Sequence, residues 1–328
     1  MSTVTWDAVA AARERIAPFV HRTPVMTCSA IDERCRATVF FKCESFQRTG
    51  SFKFRGASNA VASLPPARRA HGVYAHSSGN HAQALALAAR LHGLRAILVM
   101  PEDSNPLKVR ATEGYGAEIV FCPPTHDGRR EVAERVGAES GAAFVHPHDD
   151  PAVISGQGTA VIELLESVGA LDLVFVPVGG GGLTSGTAVA LSHLAPDAEV
   201  IGCEPAQADD AYRSLLEGRR ITEFTPATIA DGLRTPLGEN TFALIREHVK
   251  RILRVEEEEI LPAMRFVWER MKLVIEPSSA VAVAPLLAGL REARGKRVGV
   301  ILTGGNVDIT SLPTLGKEGS WQTNSSRT

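Results

Sequence analysis

From residue 72 onward, short apolar runs and amphipathic, alanine- or leucine-rich stretches take turns, with little between them but glycine turns. Residues 73–75 read as a strand, 77–81 as a turn and 82–91 as a helix. The order repeats through a strand at 96–100, a helix at 108–115, a strand at 117–122, a helix at 129–140 and a strand at 143–145. Strands alternating with helices predict a parallel sheet. Residues 158–168 then read as helix, 173–178 as an apolar, β-branched strand covered on both faces, and 183–194 as helix. A strand at 199–203, an amphipathic helix at 255–273 and a strand at 297–302 complete this half. Near the start, helical spacing over 6–19 follows Thr5 as a cap, and 38–43 reads as a buried strand. A helix at 56–64 is stopped by Pro65-Pro66. The acidic run at 256–259 suits a helix N-terminus and reads as a solvated face. The prediction is an α/β chain of two domains, each with a central, mostly parallel sheet flanked by helices. Residues 1–71 and 149–315 make the larger domain and 72–148 a smaller, mobile one, with 316–328 a disordered tail.

Composition narrows the function classes. The 328 residues are 44% hydrophobic and 22% charged, with a net charge of −2, which is globular and soluble. No basic block is present, which argues against nucleic acid as a partner. No apolar run nears the roughly 20 residues of a membrane span. Cys28, Cys35, Cys43, Cys122 and Cys203 are scattered without a C-x-x-C pair, as expected of reduced thiols and a cytoplasmic location.

Four segments carry chemistry. Lys53 stands between Phe52 and Phe54 after a Thr-Gly-Ser turn; apolar neighbours favour the neutral, nucleophilic amine, although an edge-strand lysine reaching solvent fits the same residues. Gly179, Gly180, Gly181 and Gly182 join an apolar strand directly to a helix and form an anion cradle of bare peptide N–H groups. Ser185 occupies the third glycine position of a dinucleotide fingerprint, and no Lys-Ser or Lys-Thr pair closes a Walker loop, so a single phosphate is expected. Ser77-Ser78-Gly79-Asn80-His81 gathers hydroxyl and N–H groups at a helix start, where it either caps the helix or holds a carboxylate. Thr303, before Gly304-Gly305-Asn306, puts a hydroxyl at a strand end, as a helix cap or a ligand contact. An amine nucleophile, a phosphate cradle and a carboxylate cradle together describe a pyridoxal phosphate site for an amino-acid substrate.

With these motifs in hand, the chain resembles the serine racemase and serine/threonine dehydratase family, the fold-type II or β-family pyridoxal-phosphate enzymes. The likeness covers roughly residues 23–308. It is carried by Ser51-Phe52-Lys53-Phe54-Arg55-Gly56-Ala57, Ser77-Ser78-Gly79-Asn80-His81, the four glycines with Leu183, Ile275-Glu276-Pro277 and Thr303-Gly304-Gly305-Asn306. The resemblance implies that Lys53 is joined to the cofactor aldehyde, that Phe52 packs on the ring and that Asn80 bonds the ring hydroxyl. It also implies that the glycines hold the phosphate, that Glu276 lies in the cofactor site and that Thr303 meets the pyridine nitrogen. Ser77, Ser78, Gly79, Asn80 and His81, with Arg129, would bind the substrate, and Ser78 would hold a proton on the ring face opposite Lys53. Glu204, Asp210 and the Ala208 carbonyl would ligate Mg²⁺, Ca²⁺ or Mn²⁺; read without the resemblance, they are a solvated acidic turn. The implied activity is release of ammonia and a 2-oxo acid from L-serine- or L-threonine-type 3-hydroxy amino acids. Serine racemisation or L-threo-3-hydroxyaspartate ammonia-lyase activity are its alternatives, and a homodimer is implied. Two positions depart from the racemase pattern. His148, in His146-Pro147-His148-Asp149-Asp150, replaces an asparagine and leans toward a dehydratase, unless it ligates a metal with His146. Arg48 replaces a lysine of the nucleotide-binding set, while Thr49, Lys272 and Asn306 remain.

Overall fold

The strands sort into two sheets, and the residues between them decide where the chemistry sits. A computed structural model describes residues 4–77, 79–104 and 106–308. The six-stranded sheet contains β1 (Val25–Met26), β2 (Thr38–Cys43), β7 (Leu173–Pro177), β8 (Glu199–Pro205), β9 (Arg251–Val255) and β10 (Arg297–Leu302), in the order β1-β2-β10-β7-β8-β9. The four-stranded sheet contains β3 (Val73–His76), β4 (Ala96–Pro101), β5 (Glu118–Cys122) and β6 (Ala143–Phe144), in the order β5-β4-β3-β6. Every pairing is parallel except β1 with β2.

Alternation along the central strands divides the core. Val39, Phe41, Phe175, Ile201, Val298 and Val300 pack on one face, and Val174, Val176, Val200 and Ile301 on the other. Both faces are therefore covered, as the unbroken apolar runs require.

Several element boundaries differ from the sequence reading. The helix over 158–168 starts seven residues earlier, at Pro151–Val168, because Asp150 Oδ1 accepts the Ala152 and Val153 N–H groups at 2.7 and 3.2 Å. The glycines inside it are there for close approach. A Cβ on Gly158 would lie 2.5 Å from the Gly186 carbonyl of the helix Gly182–Leu194, and one on Gly186 would lie 2.3 Å from the Ile154 carbonyl. The helix over 255–273 is Glu257–Met271, since Val255 closes β9. Its acidic start is not merely solvated. Glu257 Oε2 accepts the Ile229 N–H at 2.9 Å, while Glu259 reaches back to the Glu256 N–H at 3.1 Å. The helices Asp210–Glu217 and Glu239–His248, and the strand β9, have no counterpart in the sequence reading. The expected tail at 316–328 lies outside the described residues.

One buried charge cluster joins these layers. The fully buried Arg55 guanidinium forks onto Glu44 at 2.7 and 2.8 Å and onto Glu163 at 2.7 and 2.8 Å. Lys42 Nζ adds a 2.6 Å bond to Glu163, and Thr23 Oγ1 a 2.6 Å bond to Glu44. Two cations offset two carboxylates; Lys42 also donates to the Thr23 carbonyl, and Arg55 to the His21 carbonyl and the Thr159 hydroxyl. Arg55→Leu strips both carboxylates of their shared partner. It is expected to cost about 3–5 kcal/mol, read as a lower urea midpoint with the slope unchanged.

Candidate active site

Four strand ends converge on one region. β2 leads to Ser51, β3 to Ser77, β7 to the glycine segment and β10 to Thr303. Ser51 bridges Gly304, and the Phe52 N–H donates to the Thr303 carbonyl at 2.9 Å, so the next helix starts beside the end of β10. That helix, Lys53–Ala62, begins three residues before the expected position, with Lys53 as its first residue rather than an edge-strand residue. Lys53 Nζ donates to the Pro147 carbonyl at 2.8 Å and lies 5.2 Å from the Phe52 ring centroid. Burial lowers its pKa to about 8, against the pull of the Glu276 carboxylate, so free amine is available near neutral pH.

Glu276 is buried, and burial with the nearby Asp231 pushes it up to about 7. Asn80 Nδ2 donates to its oxygens at 2.9 and 3.1 Å. Asn80 Oδ1 accepts from Asn306 Nδ2 at 2.9 Å, and Asn306 also donates to the Thr49 carbonyl at 2.7 Å. Lys108 pairs with Asp231 beside this group.

The glycine segment has the geometry of an anion site. Gly181 takes φ +85°, in the left-handed region, and Gly182 opens the helix Gly182–Leu194. Its first-turn N–H groups have no intrahelical acceptor, and the helix dipole places partial positive charge there. A Cβ on Gly180 would fall 2.3 Å from the His148 ring, which packs directly on the loop. His148 and His146 meet edge to face at 4.5 Å. Burial holds His146 down at about 4 and His148 well below the ordinary imidazole range, with Lys53 adding to both shifts. His146 Nδ1 accepts the His148 and Asp149 N–H groups at 3.3 and 2.9 Å. That nitrogen is spent on the turn, and among the described residues no group of three or more His, Cys, Asp or Glu could hold a metal.

The expected carboxylate cradle is placed in part. Gly79 N–H donates to Ser77 Oγ at 3.3 Å, and Asn80 opens the helix Asn80–Leu91. His81 is buried with Nε2 3.3 Å from the Val145 carbonyl, so its ring serves the packing. Ser78 lies outside the described residues. Arg129 sits in the first turn of the helix His126–Ser140, its charge felt by Cys122 at the end of β5. Among the described residues it makes no hydrogen bond or ion pair with the Lys53 group. Thr303 is buried, with Oγ1 2.9 Å from Ser279 Oγ.

At the end of β8, Glu204 accepts the Ala211 and Tyr212 N–H groups at 3.0 and 2.9 Å. Asp210 Oδ2 accepts from Leu237 N–H at 3.0 Å, while its Oδ1 is buried with no partner among the described residues. Burial, and for Glu204 the Asp210 charge, raises Glu204 well above the carboxylate range; burial lifts Asp210 to about 7. The Pro147 carbonyl, Ser279 and the Lys108–Asp231 pair are site features that sequence reasoning missed. Only the strand ends beside them offered a signal.

Residues 16–304 match the model of the family described as pyridoxal-phosphate dependent enzyme. The chain belongs to this family. Within it, the chain is 48% identical over 309 residues to a beta-hydroxyaspartate dehydratase of Paracoccus denitrificans, covering 94% of this chain and 98% of that protein. It is 48% identical over 321 residues to an L-threo-3-hydroxyaspartate ammonia-lyase of Saccharomyces cerevisiae, covering 97% and 98%. The crystal structure of serine racemase from Dictyostelium discoideum superposes with a TM-score of 0.90 at 44% identity, covering 94% of this chain and all of that one. These neighbours share the fold-type II architecture of two helix-flanked parallel sheets. The residues present suit the family cofactor: an amine of lowered pKa, a side-chain-free phosphate cradle and a strand-end hydroxyl. Lys53, the buried amine of lowered pKa, is the group that would anchor such a cofactor covalently. Lys53→Ala is therefore expected to lose all borohydride-fixed pyridoxyl mass. Capture of the cofactor by wild-type protein is expected to speed up with pH, half-maximally near 8, as followed by absorbance.

Proposed function

We propose that the chain is a pyridoxal-phosphate-dependent ammonia-lyase that converts 3-hydroxy amino acids to a 2-oxo acid and ammonia. 3-Hydroxyaspartate stands first among its substrates, ahead of L-serine and L-threonine. The observation that carries this reading is the near-full-length 48% identity to two hydroxyaspartate enzymes. When bound, pyridoxal phosphate withdraws electrons from the substrate Cα and so acidifies its hydrogen.

The chain's own groups supply the rest. The N–H groups of Gly179 through Gly182 grip the phosphate. The segment from Ser77 to His81, with Arg129, binds and orients the substrate; the His81 contribution is its backbone, since its ring faces Val145. Lys53 Nζ, as a free amine, would take the α-hydrogen, and a pKa near 8 would let it both accept and return a proton near neutrality. Phe52 would pack on the cofactor ring, and Asn80, held by Glu276 and Asn306, would meet the ring hydroxyl. Thr303 offers the ring nitrogen a hydroxyl rather than a carboxylate, which weakens electron withdrawal and favours loss of the β-hydroxyl as water. A second reading, serine racemisation, draws on the likeness to the Dictyostelium structure and assigns Ser78 the opposite-face proton.

The same proposal gives Glu204, Asp210 and the Ala208 carbonyl a Mg²⁺, Ca²⁺ or Mn²⁺ ion, supported by the unpartnered Asp210 Oδ1. It treats residues 72–148 as a small mobile domain. It also makes the protein a cytoplasmic homodimer: the five cysteines are free, and Phe46 and Val274 are large apolar side chains left exposed. No helix among the described residues is long and apolar enough to cross a membrane.

Incubation with a panel of 3-hydroxy amino acids, without added thiol, is expected to yield keto acid and ammonia in equal amounts. Chiral analysis of leftover serine reports racemisation. Binding without any product would overturn the lyase assignment. The cation site makes a separate prediction. Asp210 has a folded pKa near 7 against 3.8 when free, so its stabilising contribution is full below 3.8 and is lost as pH rises through 7. Millimolar Mg²⁺ or Ca²⁺ is thus expected to raise the melting temperature more at pH 8 than at pH 5. Asp210→Asn is expected to stabilise the metal-free protein at pH 8 and to abolish the cation response.

A further inference from the structure

Ser279 lies in the short helix Pro277–Ala280, fully buried, and its hydroxyl has three neighbours. Gly304 N–H donates to it at 2.9 Å, the Gly304 carbonyl lies at 2.8 Å, and Thr303 Oγ1 lies at 2.9 Å. A hydroxyl has one hydrogen and two lone pairs. The Gly304 N–H takes one lone pair, because an N–H can only donate. The Ser279 hydrogen then goes either to the Gly304 carbonyl or to Thr303.

The two choices give Thr303 opposite roles. With the Ser279 hydrogen on Gly304, Thr303 gives its own hydrogen to Ser279 and presents only lone pairs. With the Ser279 hydrogen on Thr303, the Thr303 hydrogen is free to point at a ligand. The Gly304 carbonyl receives the Glu276 N–H at 3.0 Å in either case. Switching therefore removes one of its two incoming bonds, and the hydrogen then left needing an acceptor is that of Thr303, which a ligand nitrogen supplies. No heavy atom has to move.

We propose that Ser279 is a positioning residue that sets whether Thr303 donates to, or accepts from, the ring nitrogen of the bound cofactor. This rests on the proposed placement of that nitrogen at Thr303. A lone hydroxyl whose hydrogen is committed elsewhere can meet only a protonated nitrogen. The Ser279–Thr303 pair serves a bare nitrogen as readily, so the ring is not forced into its strongly electron-withdrawing, protonated form.

The test titrates cofactor-free protein with pyridoxal phosphate and with its 1-deaza analogue, whose ring carries C–H in place of nitrogen and accepts no hydrogen bond. The readout is the ratio of the two dissociation constants, measured by absorbance. In wild type, Thr303 can return its hydrogen to Ser279 when the nitrogen is missing. In Ser279→Ala it cannot, and a buried donor is left unpaired. The ratio is expected to rise about tenfold in that variant. Ser279→Cys, nearly isosteric and a weak acceptor, is expected to shift it in the same direction and serves if the alanine variant does not fold. Comparing two ligands on one protein cancels any general loss of stability. A ratio unchanged by both Ser279 variants, while Thr303→Val still lowers it, overturns the relay alone. A ratio that Thr303→Val also leaves unchanged overturns the placement of the nitrogen, and the relay with it.

Discussion

The buried fork of Arg55 onto Glu44 and Glu163 is the constraint on which the site depends. Arg55 is two residues beyond Lys53 on the same helix, so whatever fixes its guanidinium fixes the first turn that aims the lysine. Glu44 follows β2 and Glu163 belongs to the helix Pro151–Val168, so three separate elements share one planar cation. A bidentate fork at each end restricts rotation as well as distance. With Lys42 included the cluster is neutral, which lets it stay dry beneath the site. Its desolvation cost makes it a better device for geometry than for net stability.

A second regularity is the direction of every resolved shift around Lys53. The lysine is lowered, His81, His146 and His148 are lowered, and Glu276 is raised, each chiefly by burial. Neutral forms are favoured throughout. Fixed charge beside the amine is thus scarce apart from the Lys108–Asp231 pair, and the helix start at the glycine segment adds partial positive charge. A proton moved nearby finds comparable affinity at Lys53 and Glu276, while the lowered imidazoles stay neutral.

Much of this was legible in the residues, and the rest has identifiable reasons. Lys53, the four glycines and Thr303 stand out because each follows an apolar strand with residues too small or too polar for packing alone. The parallel character of both sheets follows from the alternation of apolar runs and helices. The early turns of the helix Pro151–Val168 were hidden because Gly156 and Gly158 look like breakers, whereas they admit a neighbouring backbone. β9 was hidden because Arg251 and Arg254 dilute its pattern, though their charges pair outward with Glu292 and Asp209. The Lys53–Pro147 bond and the Ser279–Thr303 contact join residues 94 and 24 positions apart, and no local periodicity encodes such pairs. The acidic start of the helix Glu257–Met271 looked solvated because its acceptor role depends on Ile229, from a distant loop.

The Gly158–Gly186 crossing carries a consequence of its own. One of its helices packs against the helix that starts at Lys53 and the other begins at the glycine segment, so their axial spacing works as a gauge block between the two. A single methyl inserted there, remote from Lys53 and from the glycine segment, would widen the gap and set those two out of register. Loss of function with intact chemistry is then a packing defect at a distance, and a variant of that sort would be overlooked by any survey confined to the pocket lining.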